Sequence, residues 1–176
     1  MDVISNAWMI LASVIVATPP QMAVADAVPA CTAPGTLPAG MADWATPEAI
    51  KAAATADDLE MANLLPGQAV KVRFAQTPAV TYPLRPAKPG GSVSYGGLLR
   101  LTVAAKGSYR VALDAPAWID LVGESNAAVD SFAHGHGPAC TTVRKMVDFA
   151  LEPGVYTLEI SANASPDGEV MVMRIP

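Results

Sequence analysis

Apolar and polar residues alternate along most of the chain from residue 70 to the C-terminus. Val70, Val72 and Phe74 alternate with Lys71 and Arg73, which is the period of a half-buried strand. The same alternation recurs, with turn residues between the segments, at 99–103, 109–113, 118–122, 143–149, 156–160 and 170–175. The pattern predicts an all-β fold, an antiparallel and jelly-roll-like β-sandwich of about eight to nine strands.

Two further segments alternate more weakly. Residues 80–84 predict an edge strand, because Pro83 has no N–H to donate to a sheet. Residues 127–133 predict a short strand that leads to both histidines of the chain. In the segment that follows, Lys145 shares a face with the apolar Val147 and Phe149, so we expect this lysine at a rim of the sandwich.

The N-terminal part of the chain has a different character. Thr46, Pro47 and Glu48 form a typical helix start, with a capping hydroxyl, proline at the first helical position and an acid in the first turn. They predict a short helix from Pro47 to about Ala56. Three regions result: a signal peptide at 1–25, an N-terminal segment at 26–65 that is extended and then helical, and a sandwich domain at 66–176.

Export is indicated by the first residues. The apolar run at 8–17 is too short to cross a bilayer as a helix, and the small-residue sequence Ala23-Val24-Ala25 follows it. We interpret residues 1–25 as a cleaved signal peptide and predict a periplasmic or secreted protein with no stable membrane span afterwards. The sequence Val28-Pro29-Ala30-Cys31 leaves lipid modification of Cys31 as an alternative.

The chain contains two cysteines, Cys31 and Cys140. In an oxidising compartment an even number of cysteines favours pairing, so we predict one disulfide between them. The alternative is that one or both thiols are free or bind a metal. The formal net charge of −5 and the lack of a basic stripe in the sequence speak against nucleic acid as a partner, and we expect an unknown ligand or an envelope protein instead.

His134 and His136 are the most suggestive residues for chemistry. Glycines flank His136 and Pro138 follows, so we expect a loop or a tight turn here. Two nearby imidazoles suit Fe, Cu or Zn, and Asp130 is the first candidate for a third ligand. Asp148 and Cys140 are the other candidates. The competing interpretation is a surface loop with two solvated histidines and no cofactor.

Two resemblances are carried by short motifs. KGSYRVAL at 106–113 and LEPGVYTLEI at 151–160 resemble the jelly-roll domains of the pre-peptidase C-terminal type in secreted bacterial peptidases. Together with KPGGSVSYGG at 88–97, AHGHGPAC at 133–140 and RKMVDFAL at 144–151, they resemble a family of small exported proteobacterial β-sandwich proteins. Some members of that family carry the label homogentisate 1,2-dioxygenase.

The dioxygenase label implies a cupin-like iron site with two histidines one residue apart, a glutamate shortly after them and a later histidine. His134 and His136 match the first part, whereas residues 138–142 contain no acid and no later histidine exists. We therefore predict a non-catalytic binding or interaction module that presents the two histidines. The alternatives are a metal-dependent, dioxygenase-like enzyme and a carbohydrate-binding module that uses an aromatic such as Trp118 or Tyr95.

Overall fold

A computed structural model describes residues 31–176 of the chain; the predicted signal peptide at 1–25 lies outside the described residues. Within this range the chain forms eleven strands: β1 (Glu48–Lys51), β2 (Asn63–Leu64), β3 (Ala69–Arg73), β4 (Ala75–Gln76), β5 (Tyr95–Val103), β6 (Gly107–Leu113), β7 (Trp118–Val122), β8 (Ser131–Gly135), β9 (Lys145–Leu151), β10 (Gly154–Asn163) and β11 (Asp167–Ile175). Its helical segments are short 3₁₀ turns at Ala42–Ala45, Ala56–Met61 and Thr77–Ala79. No helix between residues 31 and 176 has the length and apolar character needed to cross a membrane.

The strands form two packed sheets, so the predicted all-β sandwich is confirmed. One sheet has six strands in the order β1-β3-β11-β6-β9-β8. The other has the order β2-β5-β10-β7, with β4 also paired to β5. The sheets are mixed, because β1 pairs parallel with β3 and β2 pairs parallel with β5, while the remaining strand pairs are antiparallel.

Strands β3-β11-β6-β9 face β5-β10-β7, which is the strand order of a jelly roll. The position beside β7 is taken by the segment that leads into β8. Ala128 forms a bridge with Val122, and the Val129 N–H donates to the Leu121 carbonyl at 2.7 Å. The chain then crosses to the opposite sheet, where β8 pairs with β9. One continuous segment therefore contacts both sheets at the same edge of the sandwich.

The core lies between the two sheets and follows the alternation in the sequence. Side chains that point inward from both sheets are fully or nearly fully buried: Val70, Val72, Leu99, Leu101, Tyr109, Val111, Leu113, Ile119, Leu121, Val147, Phe149, Leu158, Ile160, Val170 and Val172. Burial of apolar surface on this scale is the main stabilising contribution to such a fold. The alternate residues of these strands point outward, and other parts of the chain cover some of them.

The predicted helix from Pro47 to about Ala56 is wrong. Residues Glu48–Lys51 form β1, which pairs in parallel register with β3. A free sheet edge offers hydrogen-bond partners along the whole segment, and this tertiary pairing overrides the local helix-start signal. Because β1 and β2 belong to the two sheets, the sandwich takes in strands from before residue 66.

The predicted edge strand at 80–84 is also wrong. These residues lie in a long connection between β4 and β5, residues 77–94, which we call the loop cover. It crosses the outer face of the five-stranded sheet, where the Tyr82 hydroxyl donates to the Ile160 carbonyl at 3.1 Å and the Ser161 hydroxyl donates to the Lys88 carbonyl at 2.8 Å. Hydrogen bonds to a neighbouring sheet therefore replace the strand pairing that the alternation predicted.

Candidate functional site

A cleft of about 480 Å³ opens at the edge of the sandwich where β7 and β8 lie. Its floor is apolar and belongs to the core, with Ile119, Val147 and Phe149 joined by the partly buried Val129. Its rim is polar and is formed by Trp118, Asp120, Asp130, Ser131, His134, His136, Arg144 and Lys145. A concave apolar surface with a few polar groups around it is the usual form of a small-molecule site.

Both histidines line this cleft, but His134 does not lie in a loop as predicted. It belongs to β8 and stands opposite Val147 of β9, because pairing with that strand continues through Gly135. His136 follows the strand, and its Nδ1 lies 3.3 Å from the Arg144 carbonyl oxygen. Gly137 then lets the chain pass close to the segment before β9, since a Cβ atom there would overlap the Val143 carbonyl.

The candidate metal ligands are only partly brought together. Asp130 lines the same cleft as His134 and His136. Asp148 instead points to the outer face of its sheet, where both its oxygens accept hydrogen bonds from Arg110 at 2.7 Å. Between residues 31 and 176, no three His, Cys, Asp or Glu side chains are placed so that they could hold a metal ion. The described residues therefore do not fit an iron, copper or zinc centre.

The predicted disulfide is confirmed, because Cys31 and Cys140 are bonded with their Cα atoms 5.5 Å apart. Neither sulfur is then available as a metal ligand, and the bridge also removes the alternative of a lipid-modified Cys31. The Gly35 N–H donates to the Cys140 carbonyl at 2.7 Å beside the bridge. The bridge thus fastens the start of the described chain to the segment that follows the histidines.

A group of charged residues around Trp118 was only partly foreseen. The indole N–H donates to Asp120 Oδ2 at 2.8 Å. The ammonium groups of Lys88 and Lys145 lie 5.0 and 5.2 Å from the centre of the indole ring, within the range of cation–π attraction. Lys145 lies at the rim, as predicted, and donates to the Ala117 carbonyl at 2.7 Å. No sequence pattern indicated Lys88, which comes from the loop cover.

Burial shifts the pKa of two groups in this cluster. Burial lowers the pKa of Lys145, and the nearby Lys88 charge adds to this effect while Asp120 opposes it. Burial raises the pKa of the Asp120 carboxyl, against the hydrogen bond from Trp118 and the charge of Lys145. The two effects have the same cause, since each charged form loses contact with water.

Directly opposite Asp120, on β10, lies the buried carboxyl group of Glu159. Only 1% of this residue is exposed, because the loop cover lies over it. The Leu84 N–H donates to Glu159 Oε1 at 3.0 Å, whereas Oε2 has no hydrogen-bond partner among residues 31–176. Burial, with a smaller contribution from Asp120, raises the pKa of Glu159 to about 7. The sequence analysis did not single out Glu159, because in the alternation of β10 it takes an ordinary outward-facing position.

Comparison with known proteins assigns no family. No protein-family model matches the sequence, and no curated protein matches it. Function must therefore be inferred from the cleft and from the residues around it.

Proposed function

We propose that this chain is an exported cell-envelope protein that binds a small ligand in the cleft between β7 and β8 without transforming it. The observation that carries the proposal is the form of the cleft, an apolar floor of core side chains inside a rim that includes His134 and His136. Its volume of about 480 Å³ lies within the usual range for small-molecule sites.

Export is supported by two independent features. The Cys31–Cys140 disulfide is of the kind that persists in oxidising compartments and is rare in the cytosol. The sequence of residues 1–25 has the pattern of a cleaved signal peptide. We therefore assign the protein to the periplasm or the exterior, and fractionation of cells that express the full chain tests this assignment. Recovery of reduced protein in the cytosol would contradict it.

Binding without catalysis is favoured over a dioxygenase-like activity because two of the candidate ligands have other roles. Asp148 is held by Arg110, and Cys140 is bonded to Cys31. Metal analysis of the purified protein tests this choice, with the double variant His134→Ala/His136→Ala as the comparison. Stoichiometric iron, copper or zinc that is lost in the variant would overturn it.

A variant that fills the cleft tests the binding site itself. Ser131 is exposed and lines the cleft, so Ser131→Trp should block it, whereas Ser125→Trp places the same bulk in an exposed turn away from the cleft. We expect compounds that raise the melting temperature of the unmodified protein to lose this effect in Ser131→Trp and to keep it in Ser125→Trp. Compounds that act equally on both variants would show that the cleft is not the site.

Carbohydrate binding is a second candidate, and the position of Trp118 at the rim favours it, because sugars stack on exposed aromatic rings. The other aromatic candidate, Tyr95, packs against the core and does not line the cleft. A neutral sugar would have to displace the two ammonium groups near the Trp118 ring. Titration of neutral glycans against Trp118→Phe and the unmodified protein separates this candidate from the first.

A further inference from the structure

Positive charges collect at one end of the cleft, where Arg144 and Lys145 line it and Lys88 lies over the ring of Trp118. Lys88, Lys145 and Arg144 form no salt bridge within residues 31–176, where the ion pairs lie elsewhere, at Arg73–Asp167, Lys106–Glu152 and Arg110–Asp148.

Two of these cations share one aromatic ring. The ammonium groups of Lys88 and Lys145 both lie about 5 Å from the centre of the Trp118 indole, although like charges repel each other. Lys145 donates to the Ala117 carbonyl, and an ammonium group has further N–H donors to offer. A negative group placed between the two lysines would accept hydrogen bonds from both and would cancel their repulsion.

Two carboxylates also line the cleft and must be weighed against these cations. Asp120 already accepts a hydrogen bond from the Trp118 indole, and it lies beyond salt-bridge distance of either lysine. Asp130 is exposed at the rim, where water and salt screen its charge. The part of the cleft beside Trp118 therefore carries two lysine charges against the single carboxylate of Asp120.

We infer that the ligand of the cleft is an amphipathic organic anion. Its carboxylate or similar acidic group lies between Lys88 and Lys145 beside Trp118. Its apolar body lies on the floor formed by Ile119, Val147 and Phe149. This inference rests on the proposed function, because it specifies the chemical class of ligand for the same cleft.

The inference is tested with three probes that share one apolar body: phenylbutyrate, its primary amide and phenylbutylamine. Calorimetric titration at pH near neutrality and low salt should show binding of the acid. The amide should bind at least about tenfold more weakly, and the amine should not bind, because each loses the interaction with the two lysines. Added salt should weaken binding of the acid more than that of the amide.

Charge-removing variants locate the anion within the cleft. Lys88→Gln changes an exposed side chain and should lower the affinity for phenylbutyrate by about tenfold without affecting the fold. Lys145→Gln should have a similar effect and retains a group that donates a hydrogen bond. Lys71→Gln is the matched control, because Lys71 is exposed on β3 in a different part of the sandwich, and it should leave the affinity unchanged.

The outcomes separate this inference from the proposed function. If acid and amide bind equally well and Ser131→Trp blocks both, the inference is wrong while the cleft remains a binding site. The same holds if Lys88→Gln and Lys145→Gln bind the acid as the unmodified protein does. If Ser131→Trp leaves the binding of all probes unchanged, neither the inference nor the proposed site is correct.

Discussion

The two outer faces of the sandwich are covered in different ways. The six-stranded sheet is covered by residues 31–45, the N-terminal cover, whose Met41 and Trp44 pack on outward-facing residues of the sheet such as Met171 and Met173. The five-stranded sheet is covered by the loop cover at 77–94, which lies over the buried polar residues Glu159 and Ser161. The contact of the N-terminal cover with its sheet is mainly apolar, whereas the contact of the loop cover depends on hydrogen bonds, one of them to the Glu159 carboxyl group.

This difference indicates how the two covers contribute to the molecule. Apolar contact stabilises in proportion to the buried area and does not depend on pH. A polar contact contributes less on balance, but it fixes positions, because each donor requires its own acceptor. The loop cover delivers Lys88 to the Trp118 ring at the mouth of the cleft. The polar cover therefore lies next to the candidate site, and the apolar cover serves stability.

The largest predicted effect concerns the disulfide that anchors the N-terminal cover. Replacement of both cysteines, Cys31→Ser and Cys140→Ser, removes a link between residues 109 positions apart. The chain-entropy model gives a loss of about 4–5 kcal/mol in the free energy of unfolding for a loop of this length. Urea unfolding of the double variant measures this loss. A change of less than about 1 kcal/mol would mean that the apolar contacts alone hold this cover.

Trp44 is the next most important residue of the N-terminal cover. It is 4% exposed, and its indole N–H donates to the Thr142 hydroxyl at 2.7 Å. Trp44→Ala should lower the free energy of unfolding by about 3–5 kcal/mol, because it leaves a large cavity. Thr142→Val removes only the hydrogen bond and should cost about 1 kcal/mol. Equal losses in the two variants, measured by urea unfolding, would show that the contact is not mainly apolar.

Glu159 should make the stability of the polar side depend on pH. Its pKa in the folded protein is raised to about 7 from the ordinary value of 4.5, so the folded state binds the proton more tightly than the unfolded state does. Ionisation of Glu159 therefore costs no stability below about pH 4.5, and this cost grows as the pH rises from there to about 7 and then stays constant. The shift corresponds to a full cost of about 3 kcal/mol.

Glu159→Gln removes this charge and keeps an oxygen that accepts the Leu84 hydrogen bond. Near pH 4.5 the variant and the unmodified protein should have nearly the same free energy of unfolding. At pH 8 that of the variant should be higher by about 3 kcal/mol, as measured by urea unfolding at a series of pH values. Glu60→Gln, at an exposed position, provides the control and should show no such trend. A constant difference between Glu159→Gln and wild type at all pH values would contradict the assignment of a buried, titrating carboxyl group.

Alternation in the sequence predicted which residues share a face, but not what covers that face. The inward residues of β5, β6, β7, β10 and β11 were identified because a side-chain period of two is a local property of a strand. Glu159 follows the same rule, yet it is buried because a segment some 75 positions away lies over it. Glu48–Lys51 forms a strand only because β3 offers an edge. Pairings between distant segments of this kind leave no local pattern in a single sequence.

The candidate site shows the same limit. His134 and His136 were identified from residue type alone, and the cleft does bring them together with Asp130. The position of Lys145 at the rim followed from the alternation of β9. Lys88 could not be assigned to the site, because its approach to Trp118 depends on how the loop cover crosses the sheet. Residue types and periods therefore indicated some of the residues at the cleft, and the others depend on the tertiary arrangement.

The smallest predicted effect lies where β10 bends beneath the loop cover. The register of β10 shifts between Ile160 and Asn163, and Ala162 has a φ of 55°, in the left-handed region that favours glycine. Ala162→Gly should relieve this strain, of about 1–2 kcal/mol, and lose part of the gain through the added freedom of the unfolded chain. The net result should be a stabilisation of about 0.5–1 kcal/mol, measured by thermal unfolding. Ala150→Gly is the control, because Ala150 lies in β9 and its φ is not positive. It should lose about as much stability as Ala162→Gly gains. Destabilisation by both substitutions would refute the idea that the bulge is strained.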